Sequence, residues 1–447
     1  MTVSTNLPFW LFFLSFVADF TNKLALKQEN FEEFAAILND SSDIGLTVKR
    51  EDSSVMQALS NSSSDEQSIP QKCSMQTNDI HSQADLRKLF DCRVIAGDLV
   101  ISEYQDSSVQ LGGIETIGGS LIIEDEPGIN KLEATNLKQI KESFKLQKLT
   151  SFSHMSVPKL QSVKQVDWVV LPMLSNVYLE NEIDDVEKIT LADTSLSGFT
   201  GFSIDKLDHL DINNNRDLEI IHSNVTQITG NLHIAANSKN VRVALPHLES
   251  VRNISIHEIS DLYASNIKEV KDTVNIINND FETLSLKNLK DIGGTLNLYG
   301  NKALREVDFS ALMKINGGLI ISKNDKIEKI DFFPLLLLID GAIEIDGNVK
   351  EANFEKLRLV KGSALTKTTN AGFDCDEWID GRFSRVVRGD KIECNNGRQS
   401  KTNVIKSTTG KSLNHKANVK NSSALQLFPR LNHFVRILTY FSLALVI

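Results

Sequence analysis

The sequence lacks the short signatures by which most catalytic and nucleic-acid-binding folds are recognised. Across 447 residues there is no P-loop, no Rossmann glycine pattern, no helix-turn-helix or zinc-finger spacing, no HExxH and no serine nucleophile elbow. Nucleotide chemistry, metalloprotease chemistry and α/β-hydrolase chemistry therefore have no local support. An excess of basic charge is missing too. Lys and Arg number 48 against 58 Asp and Glu, a net charge of -10, which leaves no basic face for a phosphate backbone. Cysteine is scarce, at four residues, and none stands at the close spacing of a metal site. Long apolar runs are also lacking. The run at 7–18 is shorter than the roughly 20 residues of a spanning helix.

What is present is a repeat. Quartets with apolar residues at the second and fourth places lie at 209–212, 231–234, 295–298, 318–321 and 342–345. The rows return about every 22 residues. An Asn follows each: Asn215, Asn237, Asn301, Asn324 and Asn348, with Asn279 after the related row at 274–277. Further rows stand at 98–101, 120–123, 143–146, 166–169 and 253–256, and the pattern blurs over 177–208, where an insertion or loop is an option. Wider-spaced apolar positions fill the second half of each unit, such as Leu304, Val307, Phe309, Leu312 and Ile315, or Ile327, Ile330, Phe332, Leu335 and Ile339. Period-two alternation means strands with one buried face. A unit this short cannot bury that face alone, so units stack at the strand spacing of about 4.8 Å into a solenoid. The Asn residues are expected to form a structural ladder, their amides satisfying backbone groups where the chain bends. Gly pairs just before strands, at 112–113, 118–119, 293–294 and 317–318, permit tight corners.

Cys73 and Cys92 flank one end of the repeats and Cys375 and Cys394 the other, each pair 19 residues apart. Four cysteines allow three connectivities. The pairing Cys73–Cys92 and Cys375–Cys394 is expected, because a solenoid holds its ends apart and a disulfide needs Cα atoms within about 7 Å. Each bond would close a cap over a terminal coil. A short helix is expected over 85–90.

Both ends read as processing signals. Residues 1–18 suit a signal peptide. Residues 19–70, rich in Ser, Asn, Asp and Gln, read as a mostly disordered leader. The folded part is expected over 71–397, with a Ser/Thr/Lys-rich stalk at 398–421. Small residues, a spacer and the apolar run at 434–447 have the layout of a GPI-attachment signal over 422–447, with Asn421 the attachment residue. The tail carries Arg436, which weakens that signal. Sequons at Asn39, Asn61, Asn224 and Asn253 are the expected N-glycosylation sites.

Catalysis on a β-helix needs carboxylates at a separation set by mechanism. Asp184, Asp185, Asp205, Asp208 and Asp325 are available, but acids are scattered as on any solvated face. His209, His233, His247 and His257 fall near strands. His233 and His257 occupy similar positions one coil apart and could line one face.

The repeat, Gly-x-Leu-x-Ile, then Asn, then Leu-x-x-Val/Ile-x-Phe/Leu-x-x-Leu-x-x-Ile, resembles the receptor L-domain, the leucine-rich-repeat-like β-helix of insulin- and EGF-receptor ectodomains. With the N-terminal signal, terminal Cys pairs, stalk and GPI-like tail, the whole layout resembles the fungal GPI-anchored cell-wall protein family, which includes the yeast extracellular-matrix cell-wall proteins and the sporulation-specific proteins. The short stalk with little Ser/Thr enrichment is closer to the sporulation-specific branch. The resemblance implies a non-enzymatic role in organising the cell wall or the β-glucan-containing layers of a spore wall, and it carries no catalytic residues. The expectations are thus an all-β, right-handed parallel β-solenoid with disulfide-closed caps, acting at the outer face of the plasma membrane and in the wall. Its partners would be a wall polysaccharide or wall-assembly proteins and, through a GPI lipid, the membrane. Nucleic acid, cofactor and metal are not expected, and the protein would be monomeric. The alternatives are a wall-remodelling glycoside hydrolase and a ligand-binding receptor-like ectodomain.

Overall fold

The computed structural model describes residues 70–405, together with the backbone of one short strand, Leu46–Thr47. Each coil brings two inward apolar side chains to the same face. Leu99 and Ile101 face Leu121 and Ile123, which face Phe144 and Leu146 in turn. The ladder continues through Lys188–Thr194, His209–Asn213, Val274–Ile277, Leu296–Tyr299 and Leu319–Ser322 to Ala364–Thr368 and Lys391–Asn395. Every pairing in it is parallel until the last strand, Ser400–Val404, which turns back antiparallel on Lys391–Asn395. That hairpin ends the sheet without presenting another parallel edge.

A second, shorter ladder precedes each long rung, as at Asp291–Ile292, Lys314–Ile315 and Leu338–Ile339. Short strands such as Glu306–Asp308 and Lys329–Ile330 form the third side, here called the back face. One continuous core of Leu, Ile, Val and Phe runs through the middle. The fold is the expected β-solenoid of leucine-rich-repeat-like coils of about 22 residues, with a disulfide at each end.

Local chemistry explains the corners. The residue after six successive long rungs is left-handed: Asn214, Ala236, Glu258, Asn278, Gly300 and Lys323 have φ between 52° and 71°. This bend swings the next side chain inward, onto the Asn column. Gly294, Gly317, Gly341, Gly362 and Gly389 form another column; the Gly294 amide donates to the Asp272 carbonyl, and each later amide donates to the glycine one coil earlier. A Cβ on Gly317 would lie 2.6 Å from the carbonyl carbon of Gly294, so only glycine lets the backbones approach this closely.

Four expectations change. Residues 177–208 hold a full rung, Lys188–Thr194, with Ile189 and Leu191 buried. The pattern blurs because the ladder position there is Thr194 rather than Asn. In the coil after Asn324 the buried pair is Phe333 and Leu336, while Phe332 is only partly buried and Leu335 is exposed. The run Phe332-Phe333-Pro-Leu-Leu-Leu-Leu is apolar at nearly every place, so periodicity cannot choose the register. The folded part extends past 397 to the strand Ser400–Val404, whose Ser-Lys-Thr-Asn-Val sequence shows no apolar alternation. Finally, the leader supplies the strand Leu46–Thr47, parallel to Val177–Tyr178.

Cys73–Cys92 and Cys375–Cys394 are both bonded, with Cα separations of 5.8 Å and 5.6 Å. The first staples the helix Gln83–Lys88, whose N-cap Ser82 accepts from the Asp85 amide. The second joins the helix Cys375–Asp380 to the last parallel rung.

Candidate binding face

The Asn column is built from buried amides. Asn301 donates through Nδ2 to Asn324 Oδ1 at 3.1 Å and to the Ile276 carbonyl at 2.9 Å, and its Oδ1 accepts from the backbone and side-chain N–H groups of Asn279. Asn279, Asn301, Asn324 and Asn215 are all buried, whereas Asn237 is half-buried. Thr194 begins this stretch, its hydroxyl donating to Asn215 Oδ1 at 2.7 Å. The column is interrupted at Ile259, whose amide still donates to Asn279 Oδ1. Glu126 stands in the Asn position of an earlier coil and accepts from the Tyr104 amide. Asn348 departs from the expectation. Gly347 continues the strand instead of turning left-handed, so Val349 takes the buried place and Asn348 is half-buried, 3.5 Å from Asn370. The ladder residues make protein–protein bonds, and a structural use accounts for them fully.

The surface available to a partner is the outer side of the long rungs. Its central column reads Lys145, Asp167, Thr190, Asp211, His233, Ser255, Asn275 and Asn297, neighbours across successive rungs. Neighbours stand about 4.8 Å apart, so these eight rungs present a polar group at each step, and the column turns apolar at Ile122 on one side and Ile320 on the other. Near the N-terminal end Lys145 pairs with Glu124 at 2.8 Å, and Gln147 donates to Asp167 at 2.8 Å. Burial pushes the Asp167 carboxyl up from its ordinary value, against the Gln147 bond and the Lys145 charge. Further along, Ser255 Oγ lies 2.8 Å from His257 Nε2, and the His257 ring stands edge-on to His233 at 5.9 Å. Burial, and then the neighbouring His233, hold His257 below the usual histidine value. The two histidines are not in the same register: His233 faces Ser255, and His257 lies two places further along its rung. The rung neighbours of the Ser–His pair are His233, Asn275 and Ile277, so no acid orients the imidazole as in a triad.

Of the five acids considered for catalysis, Asp184 and Asp325 stand exposed and the other three hold the chain's own groups. Asp205 accepts from the Thr226 hydroxyl, Asp208 from Thr229, and Asp185 from Ser162. His209 Nδ1 is 2.7 Å from Asp208. Among the described residues no three His, Cys, Asp or Glu side chains converge to hold a metal ion, and no helix is long and apolar enough to cross a membrane.

Asn224 is exposed at a coil connection. Asn253 sits at the margin of the polar face with Nδ2 donating to Asn231 at 3.0 Å and Oδ1 accepting from the Thr273 amide. A glycan there would stand on the face itself. Asn39, Asn61, Asn421, both terminal signals and the stalk beyond 405 lie outside the described residues. Sequence reasoning missed the left-handed column. Its only trace is Asn, Asp or Gly before some ladder positions, and Val170, Ala236 and Lys323 break that trace.

A long disulfide-capped solenoid with a polar stretch of eight rungs on one sheet face is the architecture of a repeat protein. The comparisons narrow this. The chain is 37% identical over 342 residues to Sporulation-specific protein 22 of Saccharomyces cerevisiae, covering 76% of this chain and 74% of that protein. It is 30% identical to the Cell surface GPI-anchored protein of Arthroderma benhamiae, over 70% of this chain and 81% of that one. Protein ecm33 of Aspergillus fumigatus is 28% identical, over 70% and 78% of the two chains. No family model and no solved structure matches. The chain belongs to the fungal family of sporulation-specific and Ecm33-type cell-wall and cell-surface proteins, and is a cell-wall-associated surface protein.

Proposed function

We propose that the protein is a non-enzymatic, GPI-anchored scaffold that organises the β-glucan-containing layers of a fungal cell wall or spore wall. The observation that carries this reading is the family relationship, with two sporulation-specific proteins of Saccharomyces cerevisiae at 37% and 35% identity. The polar face supports it. Hydroxyl, amide and imidazole groups repeat along one axis, as a polysaccharide lying along the solenoid requires. A rigid core of stacked rungs costs little conformational entropy when such a polymer docks. The relatives' names as wall and surface proteins support a role without catalysis.

The test is co-sedimentation of the protein with insoluble β-1,3-glucan, chitin and chitosan. Saturable pelleting with one polymer supports the scaffold and identifies its target. Failure to pellet with any of the three refutes direct engagement of a wall polymer. Anchoring is tested separately: truncation after Gly410 should abolish phospholipase-releasable surface protein, and unchanged surface retention would refute the lipid anchor.

A further inference from the structure

The back-face ladder stops at the strand Glu351–Ala352, which pairs with Lys329–Ile330 on one side only. In the next coil the helix Cys375–Asp380 and the 3-10 turn Phe383–Val386 stand where another back strand would be. A helix about 10 Å across cannot lie on a strand edge at the 4.8 Å strand spacing. The mismatch leaves a cavity of about 300 Å³ between the last coil and the cap.

Its chemistry is divided. The floor is aromatic. Phe354, Phe373, Trp378 and Phe383 line it, with Trp378 6.4 Å from Phe354 and Phe383 stacked on Trp378 at 3.7 Å. The rim is polar: Asn353, Glu351, Asp374 and Glu377, balanced by Lys350 and Arg382. Trp378 is 4% exposed, and its indole Nε1–H is buried without a hydrogen-bond partner. A buried indole N–H normally has a partner, and leaving one unmet is costly. Here the unmet donor belongs to a side chain that lines the cavity.

We infer that this cap cavity is a saccharide-binding site that takes a pyranose unit of a wall polysaccharide. A pyranose has an apolar C–H face that packs on aromatic rings and a ring of hydroxyls that bonds carboxylates and amides. That is the division found here. Three rim carboxylates disfavour a phosphorylated ligand, while Lys350 and Arg382 disfavour a cationic one. A peptide strand has only two residues of edge to pair with, too short for strand addition. The inference rests on the wall-polysaccharide reading above and adds a second, end-on point of engagement to the polar face.

The test is titration of the full-length protein with short, soluble β-1,3-gluco-oligosaccharides, read by calorimetry and by tryptophan fluorescence. Saturable binding is expected. Trp378→Phe, which exchanges the indole for a smaller ring without an N–H, should weaken it about tenfold, the worth of one aromatic contact. Asn353→Ala, an exposed rim change, should weaken it about fivefold, the worth of one hydrogen bond. Binding unchanged in both variants, or absent from the parent, overturns the site. If the parent still pellets with insoluble glucan while the oligosaccharides fail, the cavity assignment falls and the wall reading stands. If neither occurs, both fall.

Discussion

Asn301→Ala tests whether the Asn column holds the coils together. The Asn301 amide is fully buried and makes bonds in both directions. Removing it takes the acceptor from the Asn279 backbone N–H, at 3.0 Å, and the donor from the Ile276 carbonyl, at 2.9 Å. Asn279 Nδ2 keeps its second bond, to Ile256, and Asn324 Oδ1 keeps the Asn301 backbone N–H. The Asn279 backbone N–H is therefore orphaned, while the Ile276 carbonyl loses one of two bonds and keeps the Tyr299 N–H of the parallel ladder. One buried backbone donor left unmet costs about 1–3 kcal/mol, which is the expected loss. Urea unfolding measures it, and amide exchange at Asn279 localises it, which matters because solenoids unfold in parts. Asn348→Ala is the control. That residue is half-buried outside the column, and its removal should cost under about 0.5 kcal/mol. Equal effects of the two substitutions, or no acceleration of exchange at Asn279, would refute the reasoning.

Other outcomes are equally specific. Leu296→Asp, at a fully buried rung position, should cost about 4 kcal/mol or more in the same melts, by burying an unpaired charge. Val170 is a β-branched residue at φ 59°, so Val170→Gly should stabilise by about 0.5–1 kcal/mol, whereas Gly300→Ala should destabilise because its Cβ would collide with Asn278 Oδ1. His222 and His257 both have lowered pKa values, chiefly from burial. Unfolding raises those values, so the unfolded chain takes up more protons and stability should fall as pH drops from about 7 through the folded pKa values. His257→Asn should flatten that slope in urea midpoints measured against pH. Mutating Cys375 and Cys394 together to Ser should cost about 2–4 kcal/mol and speed exchange over Ala364–Thr368.

Most of the architecture is legible because a solenoid is a local fold. Leu296 and Leu298 announce an inward face by alternation, and the same alternation one coil away provides the surface that covers it. Reading fails where local signals are uniform or absent. Phe332 and Phe333 are equally apolar, so only packing chooses between them. Ser400–Val404 has no apolar period, and only its pairing to Lys391–Asn395 makes it a strand. Asn348 matches the motif letter for letter, yet the motif does not record that Gly347 stays extended.

The candidate sites divide the same way. His233 and His257 could be paired from spacing, but their offset by two places, and the Ser255 contact that results, depends on inter-rung register. The cap cavity had no signal in the sequence. Phe354, Trp378 and Phe383 look like ordinary core residues in a chain read for repeats. By itself the sequence determined the repeat length, the inward residues, the polar ladder and the positions of the terminal cysteines, because each follows from backbone periodicity and short-range chemistry. Tertiary structure alone decided where the left-handed corners fall and how rungs align. It also decided what lies between the last coil and its helical cap, because a helix and a strand edge differ in width and only their meeting creates the space.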